Sequence, residues 1–129
     1  MGSTAGNFLW TRNQATAAAT ASGASDSFDT SRIGRAALDV NVKTITGGTT
    51  PSIQFFVDRQ GGDGIWYPAA NTAALTATGP VSLEISDSAA DAADAQHMVF
   101  GNLARVRWVF AGAVVADSIN FSGSFYGRE

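Results

Sequence analysis

Large apolar side chains recur at every second position in five stretches of this chain. Leu38, Val40 and Val42 alternate with Asp39, Asn41 and Lys43, and Ile53, Phe55 and Val57 alternate with Gln54, Phe56 and Asp58. Val81, Leu83 and Ile85 alternate with Ser82, Glu84 and Ser86, while Val106, Trp108 and Phe110 alternate with Arg105, Arg107 and Val109. In the last stretch Ile119, Phe121 and Phe125 alternate with Asn120, Ser122 and Ser124, and Gly123 takes one inward place without a side chain. A period of two puts one face of each stretch in a core and the other in solvent, as a half-buried strand requires. Weaker runs at 15–20, 27–28, 65–67 and 73–78 supply three or four further strands. The pattern predicts an all-β chain, a sandwich or barrel of antiparallel strands, of which the antiparallel β-sandwich is the expected one, with one domain over 26–129. Residues 1–25 form either an N-terminal arm or an edge strand of that domain's own sheet.

The turns agree with that reading. Gly47-Gly48 separates two aliphatic runs, and Gly61-Gly62-Asp63-Gly64 follows the Phe55 strand, where so many glycines fit a tight reversal. Gly79-Pro80 opens the Val81 strand, a position where proline forfeits no important ladder bond. Helical composition is confined to residues 88–96, with Ser88 placed to cap and Asp91 three residues later; this stretch reads as an acidic loop or as one or two docked turns. One internal echo stands out. Ser52-Ile53-Gln54-Phe55 follows Gly47-Gly48, and Ser118-Ile119-Asn120-Phe121 follows Gly112, so both segments read as hairpins with the same closing pattern.

Composition narrows the function. Charged residues make up only 15 % of the 129-residue chain, which leaves a surface of Ser, Thr, Ala, Asn and Gly that repels neighbours weakly. Such a surface suits a protein that spends its life packed against others. The net charge is −3, from one lysine (Lys43), seven arginines and eleven acids, and no basic stripe exists, so nucleic acid is not an expected partner. No apolar run is long enough to span a bilayer, and residues 1–6 do not read as a secretory signal. Cysteine is absent, which removes disulfides, thiolate metal sites and thiol nucleophiles.

Little in the chain points to catalysis. The single histidine, His97, has no accompanying nucleophile elbow and reads as solvated or structural. Asp39, Asp58 and Glu84 fall on the polar sides of their strands, where solvated charge is expected rather than a glycosidase pair. Asp87, Asp91 and Asp94 lack calcium-loop spacing, and the glycine turn after Gln60 lacks the Lys-Ser/Thr of a phosphate loop. No cofactor and no metal are expected. Among aromatics, Trp108 is in register with the core, whereas Trp66 and Tyr67 after the glycine turn fit a sugar-stacking platform or an anchor for the turn.

The aliphatic strand and Gly-Gly, then Thr49-Thr50-Pro51-Ser52-Ile53-Gln54-Phe55 and Asp63-Gly64-Ile65-Trp66, resemble small β-sandwich structural proteins of tailed bacteriophages. The closing segments 105–112 and 118–125 are similar to the end of the same proteins, so the resemblance spans about residues 38–128. It implies a sandwich of jelly-roll type and a head decoration, or cement, subunit on the capsid exterior, bridging the major capsid protein. It also implies a homo-oligomer, dimer or trimer, without enzymatic activity. The alternatives are a tail or baseplate component and, from another class, a carbohydrate-binding module using Trp66 and Tyr67. Cement gains strength from many modest contacts made at once. On this reading Phe8, Leu9 and Trp10 are apolar anchors of an arm over residues 1–25, and deleting residues 2–12 should abolish attachment without harming the fold.

Overall fold

Each of the five alternating stretches forms a long strand. In the computed structural model, which describes residues 6–13, 18–47, 51–88, 90, 95–112 and 117–129, these are β4 (Arg35–Thr46), β5 (Ser52–Gln60), β7 (Gly79–Ser86), β9 (Leu103–Ala111) and β10 (Ser118–Arg128). Shorter strands are β1 (Asn7–Arg12), β2 (Gly23–Ala24), β3 (Phe28–Asp29), β6 (Trp66–Asn71) and β8 (Gln96–His97). The described residues contain no α-helix. Sheet A has the order β1-β10-β4-β7-β8, and sheet B the order β2-β9-β5-β6 with β3 also on β9. Every pairing is antiparallel except the short β7–β8 contact. The chain is therefore an all-β sandwich, and this order does not by itself make it a jelly roll.

The inward positions meet between the sheets. Leu38, Val40, Val42, Ile119, Phe121 and Phe125 of sheet A are buried against Ile53, Phe55, Val57 and Val106 of sheet B. Each such side chain stabilises the fold by roughly 1.5–3 kcal/mol, so these residues carry most of the favourable term. Trp108, expected in the core, is only partly buried. It lies edge-on to Phe121 and stacked on Trp10, with the Arg12 guanidinium 5.6 Å from its ring centre. Of the weak runs, 73–78 forms no strand and contributes only a bridge from Leu75 to Ile53. In the run 15–20, residues 15–17 lie outside the described residues, and Ala19 bridges Ile119. Most of 88–96 also lies outside them, although the Ser88 hydroxyl accepts the Ala90 N–H at 3.3 Å.

The Ser-Ile-amide-Phe echo marks two arches rather than two hairpins. β4 and β5 belong to different sheets, as do β9 and β10, so in each case the chain passes from one sheet to the other. The arches then pair with each other, β4 on β10 and β5 on β9, with Thr46 opposite Ser118 and Ala111 opposite Ser52. The two closing phenylalanines, Phe55 and Phe121, meet edge-on with ring centres 4.9 Å apart.

Residues 1–25 do not form a free arm over their described part. β1 pairs with β10 along one edge of sheet A, Ala19 continues that pairing onto Ile119, and the chain then changes sheet to place β2 and β3 on β9. One N-terminal run thus closes the same side of both sheets. A bulge falls at Leu9, between the pairs Phe8–Tyr126 and Trp10–Phe125. It breaks strict alternation, as bulges do, and lets both Leu9 and Trp10 pack on the core while Phe8 faces outward. Deleting residues 2–12 would bare the edge of β10 and remove two core contacts, so it is not the neutral truncation expected from the sequence. At the far edge of sheet B, Pro68 lacks a donor, and the Gln96 side chain accepts the Asn71 N–H at 2.7 Å and donates back to its carbonyl at 3.3 Å. Both devices guard that edge against further strand pairing.

Candidate binding surface

The outer face of sheet B holds the densest chemistry among the described residues. Strand parity turns Gln54, Phe56 and Asp58 of β5 away from the core, together with Arg105, Arg107 and Val109 of β9 and Trp66 of β6. The register sets Asp58 opposite Arg105, Phe56 opposite Arg107, Gln54 opposite Val109 and Gln60 opposite Trp66. Cross-strand neighbours on one face are close enough for long side chains to interlock.

They interlock through Asp58. Its Oδ2 accepts from Arg107 Nε at 2.7 Å and from Arg105 Nε at 3.0 Å, and its Oδ1 accepts from Arg107 Nη2 at 3.2 Å. The Arg105 guanidinium carbon lies 4.7 Å from the Trp66 ring centre, and that of Arg107 lies 4.2 Å from the Phe56 ring centre. In order of contact the row runs Trp66, Arg105, Asp58, Arg107, Phe56. Asp58 is 1 % exposed, whereas the two arginine side chains are 26 % and 27 % exposed. The expectation of a solvated Asp58 is therefore corrected: two guanidinium groups and their aromatic supports cover the carboxylate. Two cations share one anion, so the row carries one net positive charge. Exposed Val109 extends it with an apolar margin beside Phe56 and Arg107.

The pair Trp66 and Tyr67 does not make one platform. Successive strand residues point to opposite faces, and Tyr67 is in register with Arg59 on the other side of β6. Its hydroxyl donates to Asp63 Oδ2 at 2.5 Å, while Asp63 Oδ1 accepts the Ile65 N–H at 3.0 Å. These bonds hold the Asp63 carboxyl below its usual range and push the Tyr67 hydroxyl above its own. Tyr67 thus fastens the glycine turn. Phe8 is exposed and edge-on to Tyr126, with ring centres 5.2 Å apart, while Leu9 and Trp10 are taken up by the core.

The other candidates stay apart. His97 is exposed, its Nε2 3.2 Å from the Asp87 carbonyl oxygen. Asp91 and Asp94 lie outside the described residues, and no cluster of three potential metal ligands occurs among those described. Asp39 is exposed on sheet A, Glu84 pairs with Arg35 at 3.3 Å, and Asp58 is enclosed on the opposite sheet, so these acids do not face one another. A groove of about 220 Å³ on sheet A, lined by Arg12, Asp39, Asn41, Ser122 and Ser124 among others, is small and shallow for a substrate site. Burial lowers the Arg12 pKa, and its guanidinium carbon lies 4.2 Å from the Phe121 ring centre.

Comparison of the chain with protein-family profiles, with curated proteins and with solved structures finds no match.

Proposed function

We propose that this chain is a non-enzymatic structural subunit of a virion, a decoration subunit that seats on the outside of a capsid shell and docks through the outer face of sheet B. The observation that carries the reading is the row Trp66–Arg105–Asp58–Arg107–Phe56. Its side chains contact one another across an open sheet face instead of converging on a pocket. Tryptophan and arginine beside aliphatic side chains, with an enclosed carboxylate, have the composition of an interface centre. The low proportion of charge elsewhere fits a subunit packed among neighbours, and the resemblance to phage sandwich proteins points the same way. A sugar-binding module is the weaker reading, because Trp66 and Tyr67 lie on opposite sides of β6 and one face of Trp66 carries Arg105.

The test is the copy number of the chain relative to the major shell subunit in particles purified from its source. A ratio of one, or a simple fraction of one, supports decoration. A handful of copies per particle moves the chain to a tail or baseplate, and complete absence from particles overturns the virion reading.

A further inference from the structure

We infer that the outer face of sheet B recognises a carboxylate on its partner protein and that Arg105 is the residue that grips it. The inference rests on reading this face as the docking surface. Arg105 spends one donor, Nε, on Asp58, and its two Nη nitrogens make no hydrogen bond to any described residue. The guanidinium is nonetheless held in place, with Asp58 on one side and the Trp66 ring 4.7 Å away. A planar fork with its Nη groups free and its position fixed loses little freedom on binding, and carboxylate is the anion it matches with two parallel bonds. Charge points to the same ligand. Two arginines around one aspartate leave a single positive charge to be balanced, and one Asp or Glu side chain balances it.

The apolar margin decides the source of that carboxylate. Phe56 supports Arg107 at 4.2 Å, and Val109, 39 % exposed, lies in the next register pair. A protein segment with an acidic residue between aliphatic ones would cover both the charge and the margin. A nucleic-acid backbone would need a run of cations on a chain whose net charge is −3. A sugar would need a bare ring where Trp66 carries a guanidinium.

The full chain, labelled with ¹⁵N, is to be titrated with the capped peptides acetyl-Leu-Glu-Leu-amide and acetyl-Leu-Gln-Leu-amide while the Arg105 Nε and Trp66 Nε1 resonances are followed. The glutamate peptide is expected to shift both saturably and to bind roughly tenfold more tightly than the glutamine peptide. Arg105→Gln should abolish the shift at Trp66, and Arg105→Lys should weaken binding several-fold, with the other backbone amides unmoved in both. Equal binding of the two peptides, undiminished binding by Arg105→Gln, or a response to cellobiose in place of either peptide overturns the inference. Attachment of Arg105→Gln and Val109→Glu to purified particles separates the two levels. Loss with both variants supports the carboxylate contact. Loss with Val109→Glu alone keeps the docking face and refutes the carboxylate, and loss with neither refutes the face itself.

Discussion

The indole of Trp10 lies on the backbone of Gly123: a Cβ built on that glycine would sit 3.0 Å from Trp10 Cζ3. Gly123 faces inward opposite Val40, so the missing side chain leaves a slot that Trp10 fills from the neighbouring strand. Four residues on, Gly127 is filled in the same way by Leu9 and Ile33. Trp10→Ala is expected to cost about 2–4 kcal/mol, toward the lower part of the range for large aromatic residues because the ring is only partly buried. Gly123→Ala should cost about 1–3 kcal/mol by overpacking. In the double variant the added methyl meets an emptied slot, so the two costs should fall short of their sum by at least about 1 kcal/mol. Urea unfolding at constant slope measures all three, and additive costs would refute the slot.

Gly47 and Gly79 share a backbone conformation, φ +133° and +131°, that L side chains rarely adopt. Their surroundings differ. A Cβ on Gly47 would run into the carboxylate of buried Asp117 at the arch, whereas nothing lies near the corresponding point on Gly79. Gly79→Ala should therefore cost only backbone strain, about 1–2 kcal/mol. Gly47→Ala should cost a further 1–3 kcal/mol or so, because the arch must move to admit the methyl. Equal unfolding midpoints for the two variants would show that Asp117 gives way freely.

These positions show where sequence pattern ends. Alternation located β4, β5, β7, β9 and β10 because each is long and half-buried, and a two-residue period is legible in one strand alone. It left Phe8-Leu9-Trp10 open between an arm and an edge strand, because the bulge at Leu9 turns consecutive apolar side chains toward the core. A signal was present on the partner strand: Gly123 and Gly127, four apart on the inward face of β10, are slots that other residues had to fill. Asp58 was misjudged for a different reason. Its place on the polar face of β5 is local information, but its neutralisation by Arg105 and Arg107 depends on the pairing of β5 with β9, far along the chain. The echo in 52–55 and 118–121 was legible as a repeat, while its meaning as paired arches needed the two sheets.

The link between Asp63 and Tyr67 sets a pH window for the β5–β6 turn. Asp63 is held below 3.8, chiefly by the Tyr67 hydroxyl and then by the Ile65 N–H, so its contribution is present above 3.8 and lost as pH falls through the lowered value. Tyr67 is raised above 10.0 by the same bond, so its contribution is present below 10.0 and lost as pH rises through the raised value. Between the two limits the bond stays intact. Tyr67→Phe should move the Asp63 midpoint upward without quite reaching 3.8, since the Ile65 bond remains. NMR titration of the Asp63 carboxyl measures this, and an unmoved midpoint would contradict the assignment.

Asp58 bears on why the row exists at all. Asp58→Asn keeps the shape but removes the charge shared by two guanidinium groups, each about a quarter exposed. Breaking a buried pair this way costs about 3–5 kcal/mol when both partners are enclosed, and the exposed arginines should reduce the loss to about 2–3 kcal/mol. Replacing the whole trio, with Asp58→Leu, Arg105→Met and Arg107→Met, avoids any unpaired charge and is expected to return stability to within about 1 kcal/mol of the parent. Urea unfolding of the two variants decides the matter. A trio variant as unstable as Asp58→Asn would make the row a structural requirement of sheet B. Recovery of stability would leave the arginines without a necessary role in the fold, and attachment to a partner would then be the property that the trio variant should lose.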